Sequence, residues 1–118
     1  MKKLVGMLVL SSLAAFAEQP KVTDCFKVNS LIRMDEDHYW ANWTNSCPYT
    51  IESVYVMVGF VNKFKEMVGK GVWALHYIDP GVWRVTRLST PPSVSDYVSV
   101  SIRKITTDSE EALHEALH

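Results

Sequence analysis

From position 54 the chain alternates with period two. Val54, Val56, Val58 and Phe60 fall on one side, and Tyr55, Met57 and Gly59 fall on the other. Period two is the signature of a strand, and apolar residues on both sides predict a central strand covered on both faces. Val98, Val100 and Ile102 alternate with Tyr97, Ser99, Ser101 and Arg103, which predicts a strand with one wet face. Between residues 38 and 45, Tyr39, Ala41 and Trp43 oppose Trp40, Asn42 and Thr44, so Trp43 is expected inside and Trp40 outside. Turn signals recur at short intervals: Asp35-Glu36-Asp37, Asn45-Ser46 before Cys47-Pro48, Gly69-Lys70-Gly71, Asp79-Pro80-Gly81 and Pro91-Pro92-Ser93. The pattern predicts an all-β, antiparallel β-sandwich of about seven strands.

Two hairpins follow from the pattern. Residues 25–32 and 38–45 pair across the acidic turn, which brings Cys25 and Cys47 to the same end. A three-residue loop at Asp79-Pro80-Gly81 would set Ile78 against Val82, Tyr77 against Trp83 and Leu75 against Val85. Trp73, Leu75, Tyr77, Trp83 and Val85 then share one face, and Ala74, His76, Arg84 and Thr86 share the other. Pro80 fits poorly at the third position of the type I turn usual in such loops, so this turn is expected to be irregular. Glu-Ala-Leu-His occurs twice at the end of the chain, with Asp108 and Glu111 at capping-box spacing. Ten residues are marginal for an isolated helix, so 108–118 is read as a short helix or a disordered tail after a single domain spanning 18–107. A tryptophan enclosed near a cysteine, here Trp43 and Cys47, resembles the immunoglobulin-like sandwich in architecture, without the cysteine spacing that bridges its two sheets.

The first 17 residues change the setting. Lys2 and Lys3 precede a run of apolar and small residues from Leu4 to Phe16, and Ala15-Phe16-Ala17 forms an A-x-A cleavage site. These residues read as a bacterial-type export signal cut after Ala17, which places the product in the periplasm or the medium. The run is too short to span a bilayer, and nothing later supplies the ~20 apolar residues a span needs. In an oxidising compartment the only two cysteines, Cys25 and Cys47, are expected to form a disulfide. The loop of about 22 residues that it closes corresponds to about 3 kcal/mol of chain entropy. Asp24 before Cys25 does not suit a lipid-attachment site. Loss of Lys2 and Lys3 leaves a mildly acidic product with charges of both signs scattered along it, which excludes the basic stripe of a nucleic-acid binder.

Candidate chemistry is sparse. Exposed aromatic side chains suit sugar rings or peptide, and Trp40 and Tyr49 are the candidate ligand-binding residues. Asp35, Glu36, Asp37 and His38 lack the D-x-D-x-D-G pattern of a calcium loop and read as a solvated hairpin tip. His114 and His118, four apart, are a minimal metal-ligand pair at the chain end; no cofactor is called for. Asn42-Trp43-Thr44 matches a glycosylation sequon, without use in a bacterial product. Neither G-x-S-x-G, H-E-x-x-H nor a glycine-rich phosphate loop occurs.

These observations lead to the expectation of an exported, non-enzymatic binding domain whose partner is an extracytoplasmic protein, peptide or glycan. One alternative is an inhibitor of a secreted or cell-wall-active enzyme, acting through Asp79-Pro80-Gly81 or Thr90-Pro91-Pro92. Another is a small metal-binding protein or enzyme using His38, His76 or the terminal histidines.

Overall fold

A computed structural model describes residues 19–92, 94 and 96–117; the export signal expected at residues 1–17 and the new terminus expected at Glu18 lie outside them. The elements are α1 (Val22–Cys25), β1 (Phe26–Arg33), β2 (His38–Asn45), β3 (Ile51–Val61), β4 (Met67–Ile78), β5 (Trp83–Ser89), β6 (Ser99–Thr106) and α2 (Ser109–Leu117). The chain is mostly β, with six strands among the described residues where about seven were expected. They form two antiparallel three-stranded sheets, one ordered β1-β2-β5 and the other β4-β3-β6.

The doubly apolar run at 54–60 lies in β3, the central strand of the second sheet. Its two faces are covered by different neighbours. Val54, Val56, Val58 and Phe60 point into a core shared with Tyr39, Ala41 and Trp43 of β2. Tyr39 is fully buried and meets the rings of Phe60 and Trp73 edge-on at 6.0 and 5.5 Å, so one aromatic cluster joins the two sheets. On the opposite face Met57 is buried where α2 packs on β3, β4 and β6. Asp108 caps that helix, with Oδ1 accepting the N–H groups of Glu110 and Glu111 at 2.9 and 3.2 Å. Lys104 and Lys70 reach up from the sheet to Glu111 and Glu115. The marginal segment is therefore a helix held by tertiary contacts.

The first hairpin has the expected partners, with a bulge between Val28 and Ser30. Cys25 and Cys47 form a disulfide at its open end, with Cα atoms 4.8 Å apart. The bridge staples this hairpin.

The second expected hairpin does not exist. β4 pairs with β3, setting Trp73 against Val56 and Ile78 against Ile51, whereas β5 pairs with β2, setting Trp83 against Thr44. Residues 79–82 carry the chain from one sheet to the other. The Asp79 carbonyl accepts the Val82 N–H at 3.2 Å, and Gly81 takes a positive φ of 79°. The backbone of Asn45 clasps this crossing: its N–H donates to Val82 O at 3.0 Å and its carbonyl accepts the Gly81 N–H at 2.8 Å. Trp73 and Leu75 do face the core, but Tyr77, at φ 53°, breaks the alternation and is 79% exposed. Trp83 and Val85 face outward on the other sheet. A second correction concerns Tyr97 and Val98, whose expected sides are exchanged. Both precede β6, so its alternation does not govern them; Tyr97 is buried edge-on against Phe60 at 4.9 Å, and Val98 is exposed.

Candidate functional site

The two sheets differ in what covers their outer faces. α2 lies on the β4-β3-β6 sheet, whereas among the described residues the main contacts of β1, β2 and β5 are with one another and with the short α1 that leads into β1. Strand alternation and register place three cross-strand rows on this open face. Lys27, Thr44 and Trp83 form the first row, Ser30, Asn42 and Val85 the second, and Ile32, Trp40 and Arg87 the third. Trp83, Ile32 and Val85 are 57, 56 and 46% exposed. Trp40 points outward as the alternation required, but it is half-buried. Ser30, Ile32, Trp40, Asn42 and Val85 line a shallow groove of about 480 Å³. Solvent-exposed apolar side chains grouped in this way mark interaction surfaces more often than scattered ones do.

The polar groups of this face are sparsely engaged. Asn29, in the bulge of β1, donates through Nδ2 to Thr44 Oγ1 at 3.1 Å. Asn42 Oδ1 is buried and has no hydrogen-bond partner. Neither Lys27 nor Arg87 has an ion-pair partner among the described residues. Tryptophan behind the sheet is differently employed: Trp43 is buried, donates from Nε1 to Thr86 Oγ1 at 2.7 Å, and packs on Phe26 at 5.8 Å.

The other candidate residues are not brought to this surface. Tyr49 is half-buried beside the disulfide, and its hydroxyl donates to Pro20 O at 2.6 Å, which anchors the start of the described chain. His114 stands on α2 and His118 lies outside the described residues, so their pairing is not placed. At the hairpin tip His38 Nδ1 sits 3.0 Å from Asp35 Oδ1. The Asp37 N–H, 2.8 Å from the same oxygen, holds the Asp35 carboxyl below its ordinary range, and His38 adds to the effect. His76 pairs across β3 and β4 with Ser53, Nδ1 to Oγ 2.9 Å, on the exposed side of the sheet. Among the described residues no carboxylate is bonded to that pair.

A second concavity, of about 760 Å³, opens where three loops converge and includes Arg33, Glu36, Asp37, Lys63, Phe64 and Tyr97. Its Arg33 is already committed. The guanidinium lies 4.3 Å over the Tyr97 ring, and it donates to Tyr97 O and Asp35 O at 2.9 and 3.2 Å. The cleft thus reads as loop architecture, whereas the open sheet face has unengaged cations, aromatic rings and an orphaned acceptor.

Trp83 and its neighbours Val85 and Arg87 were missed as site residues because the expected hairpin enclosed Trp83 and Val85 with Trp73. No family model, curated relative or solved structure matches this chain.

Proposed function

We propose that the chain is an exported, non-enzymatic binding domain of a bacterial envelope or secretome, an immunoglobulin-like sandwich that engages its partner through the open face of the β1-β2-β5 sheet. The observation that carries this reading is the pair Trp40 and Trp83, set with Ile32 and Val85 on a sheet face that α2 leaves open among the described residues. The Cys25–Cys47 disulfide supports an oxidising compartment, in agreement with the export signal read from residues 1–17.

Strand order supports the immunoglobulin-like part of the proposal. β1-β2-β5 takes the places of strands A, B and E, and β4-β3-β6 those of C′, C and F. Tyr97 stands before the strand in the F position, with its hydroxyl 3.0 Å from Thr90 Oγ1, much as a tyrosine corner ties that strand to the connection preceding it.

The test is affinity capture from envelope and medium of the source organism with wild-type protein and with Trp40→Ala/Trp83→Ala. Loss of the retained partner at an unchanged urea midpoint is the expected result. Retention of the same material by the double variant would place binding elsewhere.

A further inference from the structure

We infer that the open sheet face binds a carboxylate-bearing glycan strand, an assignment that rests on the proposed binding role of this face. Charge provides the first argument. β1, β2 and β5 contain Lys27, Arg33, Arg84 and Arg87 and not one aspartate or glutamate. This is unusual within a chain of 13 acidic and 12 basic residues. Six of the acids are grouped at the hairpin tip, in Asp35, Glu36 and Asp37, and on α2, in Glu110, Glu111 and Glu115; the others, such as Asp24 and Asp79, lie outside the three strands. Lys27 and Arg87 point out from the open face without ion-pair partners among the described residues, so an anionic ligand meets no competing carboxylate there.

The arrangement of the rows provides the second. Each end row combines one indole with one cation: Trp83 with Lys27, and Trp40 with Arg87. Trp40 and Thr44, the β2 members of these rows, are four residues apart, about 13 Å at ~3.3 Å per residue. Between the two rows lie Ser30 and Asn42, both of which line the groove. The surface therefore carries an aromatic ring and a cation in each end row, with hydrogen-bonding groups between the rows.

A glycan strand presents the complementary sequence: apolar C–H faces that stack on indole, hydroxyl rims that bond to amide and hydroxyl side chains, and carboxylates that match the guanidinium fork of Arg87. The centre of a protein interface is more apolar than its rim and is depleted of lysine, whereas here Ser30, Asn42 and Thr44 interrupt the apolar residues and Lys27 shares a row with Trp83 across Thr44.

The test uses tryptophan fluorescence titration of the wild-type protein with three probes: oligogalacturonate, alginate oligosaccharide and soluble cell-wall glycan strands. A neutral galacto-oligosaccharide and polyglutamate serve as comparators. We expect saturable binding of at least one carboxylated glycan, about tenfold weaker binding of the neutral sugar, and about tenfold loss in Trp83→Ala. Arg87→Gln should weaken binding several-fold and flatten its salt dependence. Binding of none of the three glycans, binding indifferent to both Trp83→Ala and Arg87→Gln, or polyglutamate binding as tightly with the same Trp83 dependence would each overturn the inference. The last of these outcomes would assign the face to an acidic protein. If all three glycans fail while capture from the envelope still depends on Trp40 and Trp83, the binding face stands and the glycan assignment falls; if that capture is also indifferent, both fall.

Discussion

Asn45 Nδ2 donates to the carbonyl of Ile78 at 2.8 Å, across 33 residues of sequence and from one sheet to the other. The same amide group donates to Tyr49 O at 3.2 Å, and its Oδ1 accepts the Cys47 N–H at 2.8 Å. Together with the backbone bonds to Gly81 and Val82, this fully buried side chain fastens the end of β2, the start of the β2–β3 connection and the crossing between β4 and β5. A buried amide is costly unless its hydrogen bonds are made, and here both of its polar atoms are engaged.

Asn45→Ala removes three of those bonds and strands the carbonyl of Ile78 and the N–H of Cys47 inside the protein. The expected cost is about 3 kcal/mol in urea unfolding, since each buried group left unpaired costs about 1–3 kcal/mol and the losses overlap. Asn29→Ala, which removes one exposed bond to Thr44, should change stability by about 0.5 kcal/mol or less. Equal effects of the two substitutions would remove Asn45 from its role as the fastening between the sheets.

Gly71 makes room for the aromatic cluster. A Cβ at this position would lie 2.6 Å from Trp73 Cη2 and 3.2 Å from Pro91 Cγ, so Gly71→Ala must push the indole off its seat. Overpacking of this kind costs about 1–3 kcal/mol. The near-ultraviolet circular dichroism of the tryptophans should change with it; an unaltered spectrum and melting temperature would mean that the indole yields freely.

How far the sequence foretold this structure depends on how local each feature is. The first hairpin and its disulfide were legible because partner strands, turn and cysteines all fall between residues 25 and 47. β3 was legible because both of its faces are apolar. The hairpin expected at Asp79-Pro80-Gly81 failed for a physical reason: period two states which residues share a face but not which strand lies alongside. A Pro-Gly turn serves a crossing between sheets as well as a hairpin, and the fastening by Asn45 is invisible until the fold brings the two segments together. The site inherited that error. Trp40 was found from its own strand, whereas Trp83 was hidden by a partner it does not have. The lack of carboxylates in β1, β2 and β5 is plain in the letters, but it gains meaning only once those three strands are known to form one sheet.

The hydroxyl of Tyr39 is buried among the rings with no hydrogen-bond partner, and burial pushes its ionisation far above the usual phenol range. Tyr39→Phe, which removes the orphaned group, should leave stability at pH 7 unchanged or raised, whereas Tyr39→Ala should cost about 3–5 kcal/mol by analogy with other large-to-small aromatic truncations. The pH dependence has a definite sign. Below about pH 10 the phenol is protonated both folded and unfolded and contributes no slope. Above it the unfolded chain ionises while the folded protein does not, so wild-type stability falls as pH rises and Tyr39→Phe lacks that part of the fall. Parallel stability curves for the two proteins between pH 9 and 11 would contradict the burial of this hydroxyl.

The Cys25–Cys47 bridge is expected to act on the unfolded chain more than on the folded one. The folded pairing it accompanies is already held by backbone bonds, including the Ser46 N–H to Cys25 O at 3.0 Å, and by the packing of Phe26 on Trp43. Closing a loop of 22 residues corresponds to about 3 kcal/mol of denatured-state entropy. Cys25→Ala/Cys47→Ala should therefore lose about that much stability. Its denaturant slope should rise, because an unfolded chain free of the cross-link exposes more surface. Thiol labelling of the unfolded wild-type protein should proceed only after reduction, at both cysteines. A loss under about 1 kcal/mol with an unchanged slope would mean that the denatured chain retains the hairpin without its bridge, and that β1 and β2 hold together through their own pairing.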